Sequence, residues 1–238
     1  NTSAPVPEEV SFPPVDQKAI RNIIDNAPEG YLPPRTVSAL LDAAGIPRAR
    51  EASANNEKDL IKAAELVGFP LVMKVVGPVH KSDVGGVRLN ITDQTTLLAN
   101  FREMMTIKDT TAILLQSMLN GRELFIGAKK EPAFGHTVVC GLGGIFVEML
   151  RDITTGLSPV SGEEARKMIR NLKGYGLIRG ARGQEGVNED LFAEAVERVS
   201  ALCTYAPEIA EMDLNPLLGT PKSVIAVDAR IRILKTND

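Results

Sequence analysis

Three apolar runs follow one another with only turn residues between them: "AILLQSM" (112–118), "ELFIGAKK" (123–130) and "TVVCGL" (137–142). Joining parallel strands takes a crossover of a dozen or more residues, usually a helix. Strands this close exclude a purely parallel, helix-interleaved winding, and the helical stretches on either side make the chain α+β, with helices packed on a mixed sheet.

The flanks supply those helices. "DQKAIRNIIDN" has helical spacing, and "YLPPRTVSALLDAAGIP" repeats Val37, Leu40, Leu41 and Ala44 before the stop signals Gly45 and Pro47. "NNEKDLIKAAELVGFP" has the same design, capped by Asn55 or Asn56 and ended at Gly68 and Pro70. "LVMKVV" and "VRLNI" read as strands on either side of a glycine turn, and "TDQTTLLANFREMM" as a helix with Leu97, Leu98, Phe101 and Met105 on one side. "SGEEARKMIRNL" opens with a capping box, Ser161 and Glu164, and "NEDLFAEAVERVSALC" is a further amphipathic helix. "IAEMDLNPLL" and "SVIAVDARIRI" form a hairpin-like strand pair turning at Gly219 to Pro221. The opening "NTSAPVPEEVSFPP" is proline-rich and starts on Asn1, which reads as a linker of a trimmed or excised chain.

A net charge of −3 and a pI near 5.6 argue against a general nucleic-acid binder. Cys140 and Cys203 stand far apart with no CxxC or CxxH spacing, which disfavours a disulfide scaffold or a zinc site and makes a reducing cytoplasm the default. No apolar run reaches membrane-spanning length, and no basic-then-apolar signal opens the chain.

Three stretches carry candidate chemistry. Lys74 sits inside an apolar strand, either snorkelling to water from an edge or meeting an anion such as a phosphate. In "HKSDVGGV", Gly85 and Gly86 serve a tight hairpin or let backbone N–H groups approach a phosphate, with Lys81 in the same loop. The Walker A pattern is absent, and "GLGGIFVE" lacks the register of a dinucleotide-binding turn. "EMDLNPLLGTPKSVIAVDARI" offers Glu211, Asp213 and Asn215, then Asp228 on the facing strand. A few oxygen donors of this kind suit Mg²⁺, which keeps waters and takes its remaining ligands from phosphates. Asp213 and Asn215 also fit a turn before Pro216, whereas Asp228 interrupts a strand that is otherwise apolar.

In order and separation, "HKSDVGGVRLN", "GRELFIGAKK", "FGHTVVCGLGGIFVE", "EMDLNPLL" and "AVDARI" resemble the ATP-grasp subunit of ADP-forming (NDP-forming) acyl-CoA synthetases, relatives of succinyl-CoA synthetase. The likeness runs from about Gly30 to Ile233. It implies an ATP-grasp fold of two α+β lobes with the nucleotide between them. By position, it places Lys74, Lys81, Gly85 and Gly86 at the phosphates, Gln116 to Met118 at the base, and Glu123 at the ribose. It gives Mg²⁺ to Asn215 and Asp228, and turns Gly143, Gly144 and Glu148 to the same side. His80 matches a relay histidine that some members use to carry the phosphoryl group to ADP, the alternative being that it only donates a hydrogen bond to a phosphate. Imidazole accepts a phosphoryl group near neutral pH, and Lys74 and Lys81 would offset its charge. The expected domains are a linker and N-terminal helix (1–29), an ATP-grasp region with the phosphate loop (30–110) and a second with the metal site (111–238).

Two departures stand out. Relatives carry FGP where this chain has Phe134-Gly135-His136, so His136 is expected in a surface turn. "RDITTGLSPVS" replaces an arginine-containing "FRLAPLS", although Arg151 lies nearby. The activity implied is acyl-CoA + ADP + phosphate = carboxylate + CoA + ATP, with Mg²⁺ and with ATP/ADP as substrate, GTP/GDP being left open. It requires a CoA-binding α subunit or fused N-terminal domains. The competing readings are an ATP-grasp carboxylate–amine or carboxylate–thiol ligase without a histidine relay, and a non-catalytic nucleotide-sensing module of an acyltransferase. The expected location is cytoplasmic, with neither nucleic acid nor membrane as partner.

Overall fold

Strand β5 (Ala112–Ser117) lies between β2 (Glu51–Ala54) and β3 (Leu71–Val76), antiparallel to both, and β4 (Val87–Ile91) completes a four-stranded sheet of order β2-β5-β3-β4. In this computed structural model, which describes residues 12–77, 85–144, 151–181, 183 and 185–235, that sheet and its helices form the smaller of two compact units, Ala49–Asn120. Helices α3 (Glu57–Val67) and α4 (Gln94–Met104) pack on one face of it. Leu60, Ala64, Leu97, Phe101 and Met104 meet Leu71, Met73, Val75, Ile113 and Leu115, which follow the two-residue period of the strands. Asn56 and Asp93 begin the two helices, each side chain accepting from the backbone N–H three residues on, of Asp59 and Thr96, at 2.9 and 2.8 Å.

The larger unit, Asn1–Arg48 with Gly121–Asp238, holds a seven-stranded sheet. Its order is β1 (Gly30–Tyr31), β11 (Ala229–Ile233), β9 (Ile209–Gly219), β6 (Arg122–Glu131), β7 (Gly135–Leu142), β8 (Ile153–Leu157), with β10 (Val224–Ala226) also on β9. Every pairing between these strands is antiparallel. Helices α1 (Gln17–Asn26), α2 (Pro34–Ala43), α5 (Gly162–Arg170), α6 (Tyr175–Ile178) and α7 (Glu189–Tyr205) contribute to the same core as one face of this sheet, through Ile20, Leu40, Ile169, Ile178 and Phe192. Full burial of each such side chain is worth about 1.5–3 kcal/mol.

The N-cap half of the expected capping box forms, Ser161 Oγ accepting from Glu164 N at 3.3 Å. The expected turn after β9 is organised by Thr220, whose Oγ1 accepts from the N–H groups of Lys222 and Ser223 at 3.1 and 3.0 Å. The units divide the chain differently from the expected boundaries. Residues 30–48 belong to the larger unit because β1 pairs with β11 and α2 lies in its core, and the break expected at 110/111 falls just before the strand at the heart of the smaller sheet. The N-terminal helix likewise joins the larger unit, burying Ile20 and Ile24 and pairing Arg21 with Glu208 at 2.8 Å.

Candidate functional site

In the smaller unit, alternation along the strands places a row of polar groups on the sheet face away from the core. Lys74 on β3 is half-buried, Gln116 on β5 is 3% exposed, and Glu51 on β2 lies directly across from Gln116. Lys74 Nζ donates to Gln116 Oε1 at 2.8 Å, and Gln116 Nε2 donates to Glu51 Oε2 at 3.4 Å. The amide thus points its oxygen at a cation and its nitrogen at an anion, the only orientation that satisfies both. Gly86 lies one step along the β3–β4 ladder from Lys74: its carbonyl accepts Val75 N at 2.8 Å, while Val87 stands opposite Lys74. Gly85, at φ +66°, takes the left-handed conformation that favours glycine. Met118 follows β5 and is tied by its N–H to the Pro70 carbonyl at 3.2 Å. The structure therefore brings Lys74, Gly86 and Gln116 together. His80 and Lys81 lie outside the described residues.

In the larger unit, Glu211, Asp213 and Asn215 point away from the core because Met212 and Leu214 point into it. Strand β11 answers with cations. Arg232 Nε donates to Glu211 Oε1 at 2.9 Å, and Arg230 lies opposite Asp213 with an ion pair of 3.5 Å. Tyr31 Oη also donates to Glu211, at 2.7 Å, and this bond and Arg232 hold the Glu211 carboxyl below its ordinary range. Burial pushes the Asp213 carboxyl up, partly opposed by Arg230.

The charge alternation then breaks. At the next step the Asn215 N–H donates to the Asp228 carbonyl at 3.0 Å, so an amide and a carboxylate side chain stand at adjacent exposed positions where a cation would continue the pattern. Between Leu214 and Leu217 the pairing of β9 with β6 slips by one residue, so that Asn215 and Pro216 both oppose Phe125. Such bulges re-aim a side chain out of the regular pleat. Asp228 Oδ1 accepts Ala229 N at 3.0 Å, at the break that splits the expected single strand into β10 and β11. Two hard oxygen donors fit Mg²⁺, which is content with one or two protein ligands. Among the described residues no three His, Cys, Asp or Glu side chains gather into a metal site.

Glu123 is exposed at the start of β6, and its carbonyl accepts the Gly143 N–H at 2.8 Å. A Cβ on Gly144, at φ +59°, would collide with Glu123 Oε2, so the second glycine motif makes room for this carboxylate. Glu148 lies outside the described residues.

His136 corrects one expectation. It is no surface turn residue but the 6%-exposed second residue of β7, its Nε2–H donating to the Ile209 carbonyl at 2.7 Å. The phase of "HTVVCGL" places His136, Val138, Cys140 and Leu142 inward together. The acid–base rungs of β9 and β11 were not anticipated as a ladder, although acids at 211 and 213 set against arginines at 230 and 232 are the signal that reveals it.

A family model described as an ATP-grasp domain matches residues 22–233. The chain is 39% identical over 202 residues to the acetate–CoA ligase (ADP-forming) I subunit beta of Pyrococcus furiosus, covering 81% of this chain and 87% of that protein. Against acetate–CoA ligase (ADP-forming) I of Archaeoglobus fulgidus it is 38% identical over 201 residues, 81% of this chain but 29% of the longer relative. Among solved structures, the dinucleotide-forming acetyl-coenzyme A synthetase 1 of Ca. Korarchaeum cryptofilum, in complex with coenzyme A, Ca-AMPCP and HgCl+, matches with a TM-score of 0.82 at 34% identity, over 92% of this chain and 100% of that one. The same protein with coenzyme A and Mg-AMPPCP, its phosphohistidine segment pointing towards the nucleotide binding site, matches with a TM-score of 0.80 at 34% identity and the same coverage.

Proposed function

The chain belongs to the ATP-grasp family and corresponds to the β-subunit part of ADP-forming acetate–CoA ligases, and from that membership we propose that it is the nucleotide-binding and phosphoryl-transfer module of an ADP-forming acyl-CoA synthetase. The observation that carries this reading is the break in the β9–β11 charge ladder, where Asn215 is hydrogen-bonded across the strands to Asp228 rather than to an arginine. A divalent cation is the group that such an oxygen pair suits. Bound there, Mg²⁺ would neutralise phosphate charge.

Within the smaller unit, the candidates for phosphate and base contacts are the Lys74 ammonium, oriented by Gln116, the N–H groups at Gly85 and Gly86, and the segment from Gln116 to Met118. Within the larger unit, Glu123 is the candidate for ribose hydroxyls and the Asn215–Asp228 pair the candidate for the metal. Adenine is the base in this reading, as in the nucleotide analogues of the Korarchaeum complexes.

The chemistry is phosphoryl transfer, in which positioning and charge compensation do most of the work. A CoA-binding partner, as a separate α subunit or as fused domains, forms the acyl phosphate. An imidazole nitrogen attacks that phosphorus, the acyl–oxygen–phosphorus link opens, and the carboxylate leaves with the electron pair. A terminal oxygen of ADP then attacks the phosphohistidine, the P–N bond breaks, and its electron pair returns to the ring. His80 is the candidate for accepting the group on this chain, beside Lys81.

The test is to assay ATP formation from acetyl-CoA, ADP and phosphate with the chain and its CoA-binding partner, and to follow acid-labile phosphate on the chain. The expected result is that the chain alone binds Mg-ADP without making acyl-CoA, and that His80→Asn removes the label while sparing Mg-ADP binding. Turnover by the isolated chain, label indifferent to His80→Asn, or no label on the chain at all overturns the reading. The last outcome returns the chain to ligases that work through a free acyl phosphate.

A further inference from the structure

The edges of the two sheets are not treated alike. The edge strand β1 is two residues long, β2 begins on Glu51, and β4 carries Arg88, paired with Glu103 at 2.8 Å, and Asn90 at φ +57°. Short length, charge and local irregularity are the usual means by which a sheet edge is kept from pairing with another chain. The edge strand β8, "ITTGL", has none of them. Its register against β7 runs unbroken from Thr137↔Leu157 to Gly141↔Ile153, it contains no charged residue and no proline, and Ile153 and Leu157 are 40% and 51% exposed on one face.

The hydrogen-bond phase of this strand is also set. Ser158 N donates to His136 O at 2.8 Å, so the narrow pairs with β7 are those at 154, 156 and 158. Thr155 and Leu157 therefore turn their N–H and C=O groups away from β7, towards the edge on which no described strand pairs, and Ile153 turns its C=O the same way. Ile153 N–H is bonded locally to the Arg151 carbonyl at 3.0 Å.

We infer that β8 is a self-association edge, on which a second copy of this chain adds its own β8 antiparallel about Thr155. In that register Thr155 exchanges both backbone bonds with its twin, and each Leu157 N–H reaches the Ile153 carbonyl of the other copy. Ile153 and Leu157 then face each other directly across the seam, on the same side of the sheet. The strand is its own complement: apolar meets apolar, threonine meets threonine, and no charge opposes another. A CoA-binding partner would need a matching uncharged strand, whereas a second copy brings one by construction. The contact is small, so it is weak and concentration-dependent.

The experiment uses the full chain. Thr155→Cys places two thiols at the centre of the seam, where Cα atoms of a narrow antiparallel pair stand about 5.5 Å apart, within disulfide reach. Both native cysteines are buried and do not compete. Mild oxidation is expected to give a covalent dimer of about twice 25.6 kDa, while Lys58→Cys, exposed on α3, stays monomeric. Sedimentation of the unmodified chain is expected to show a dimer at high concentration that Leu157→Lys abolishes without changing the circular dichroism. Thr155→Cys that cross-links no faster than Lys58→Cys overturns the inference, as does a dimer that survives Leu157→Lys.

Discussion

The ammonium of Lys74 and the side-chain carbonyl of Gln116 stand 2.8 Å apart on neighbouring strands of the smaller sheet. The bond holds the cation on the sheet face away from the core, so in the proposed site the lysine would meet a nucleotide with less rotamer freedom still to lose. Lys74→Met is expected to weaken Mg-ADP binding by about 10- to 150-fold, or about 1.5–3 kcal/mol for hydrogen bonds to a charged group. Calorimetric titration measures it, and an unchanged Kd removes Lys74 from the site.

Asp228→Asn retains an oxygen that can accept the Ala229 N–H and so spares the local turn. It removes the negative charge from the oxygen pair. Changes even in the groups behind a metal ligand cost 10–100-fold in affinity, so the Mg²⁺ midpoint for ADP binding is expected to rise by at least about tenfold. A midpoint that does not move assigns the metal elsewhere.

His136 gives the fold a pH dependence. Burial lowers its pKa from the ordinary value of 6.5, with the Ile209 carbonyl acting in the opposite direction. The unfolded chain therefore binds this proton at a higher pH than the folded one. Stability from the neutral ring is full above about pH 6.5 and is lost as the pH falls towards the folded value. Thermal melts between pH 8 and 5 are expected to show that loss, and His136→Gln to flatten it. Equal slopes in both proteins would contradict the assignment.

Burial pushes the thiols of Cys140 and Cys203 up to about 11 and about 12. At pH 8 less than about a thousandth of either is thiolate, and the thiolate is the form that reacts. Neither is expected to react with a disulfide reagent until the chain is unfolded in denaturant. Fast labelling of the native protein would show that the larger core opens locally.

Asp152, 5% exposed, accepts the N–H groups of Lys173 and Gly174 at 2.8 and 2.7 Å just before α6. Asp152→Ala strands both donors and is expected to cost about 1–3 kcal/mol in urea unfolding. A midpoint shift too small to resolve would mean that water replaces the carboxylate without penalty.

Local signals carried much of the architecture. Caps at Asn56 and Ser161, the apolar spacing of α2 and α7, and the two-residue period that turns Glu211, Asp213 and Asn215 to one side are properties of consecutive residues, and they survive into the fold. The candidate site was legible as residue types: a lysine in an apolar strand, a glycine pair, an acid inside "VIAVDARI". His136 was misplaced because the neighbouring Phe134-Gly135 suggested a turn, while the phase of β7 put its ring inward.

By itself the sequence determined the longer helices and most of the longer strands and which of their faces are apolar, since those follow from periodicity and from caps within a few residues, whereas β1, β2, β8, α6 and the break between β10 and β11 had no such local signal. Only the tertiary structure decided that β5 inserts between β2 and β3, that β1 joins β11, that Gln116 faces Lys74, and that the pairing of β9 with β11 sets Asn215 next to Asp228. Those relations depend on strand partners and registers between segments distant in the chain. Their selection rests on packing two whole cores rather than on any local preference.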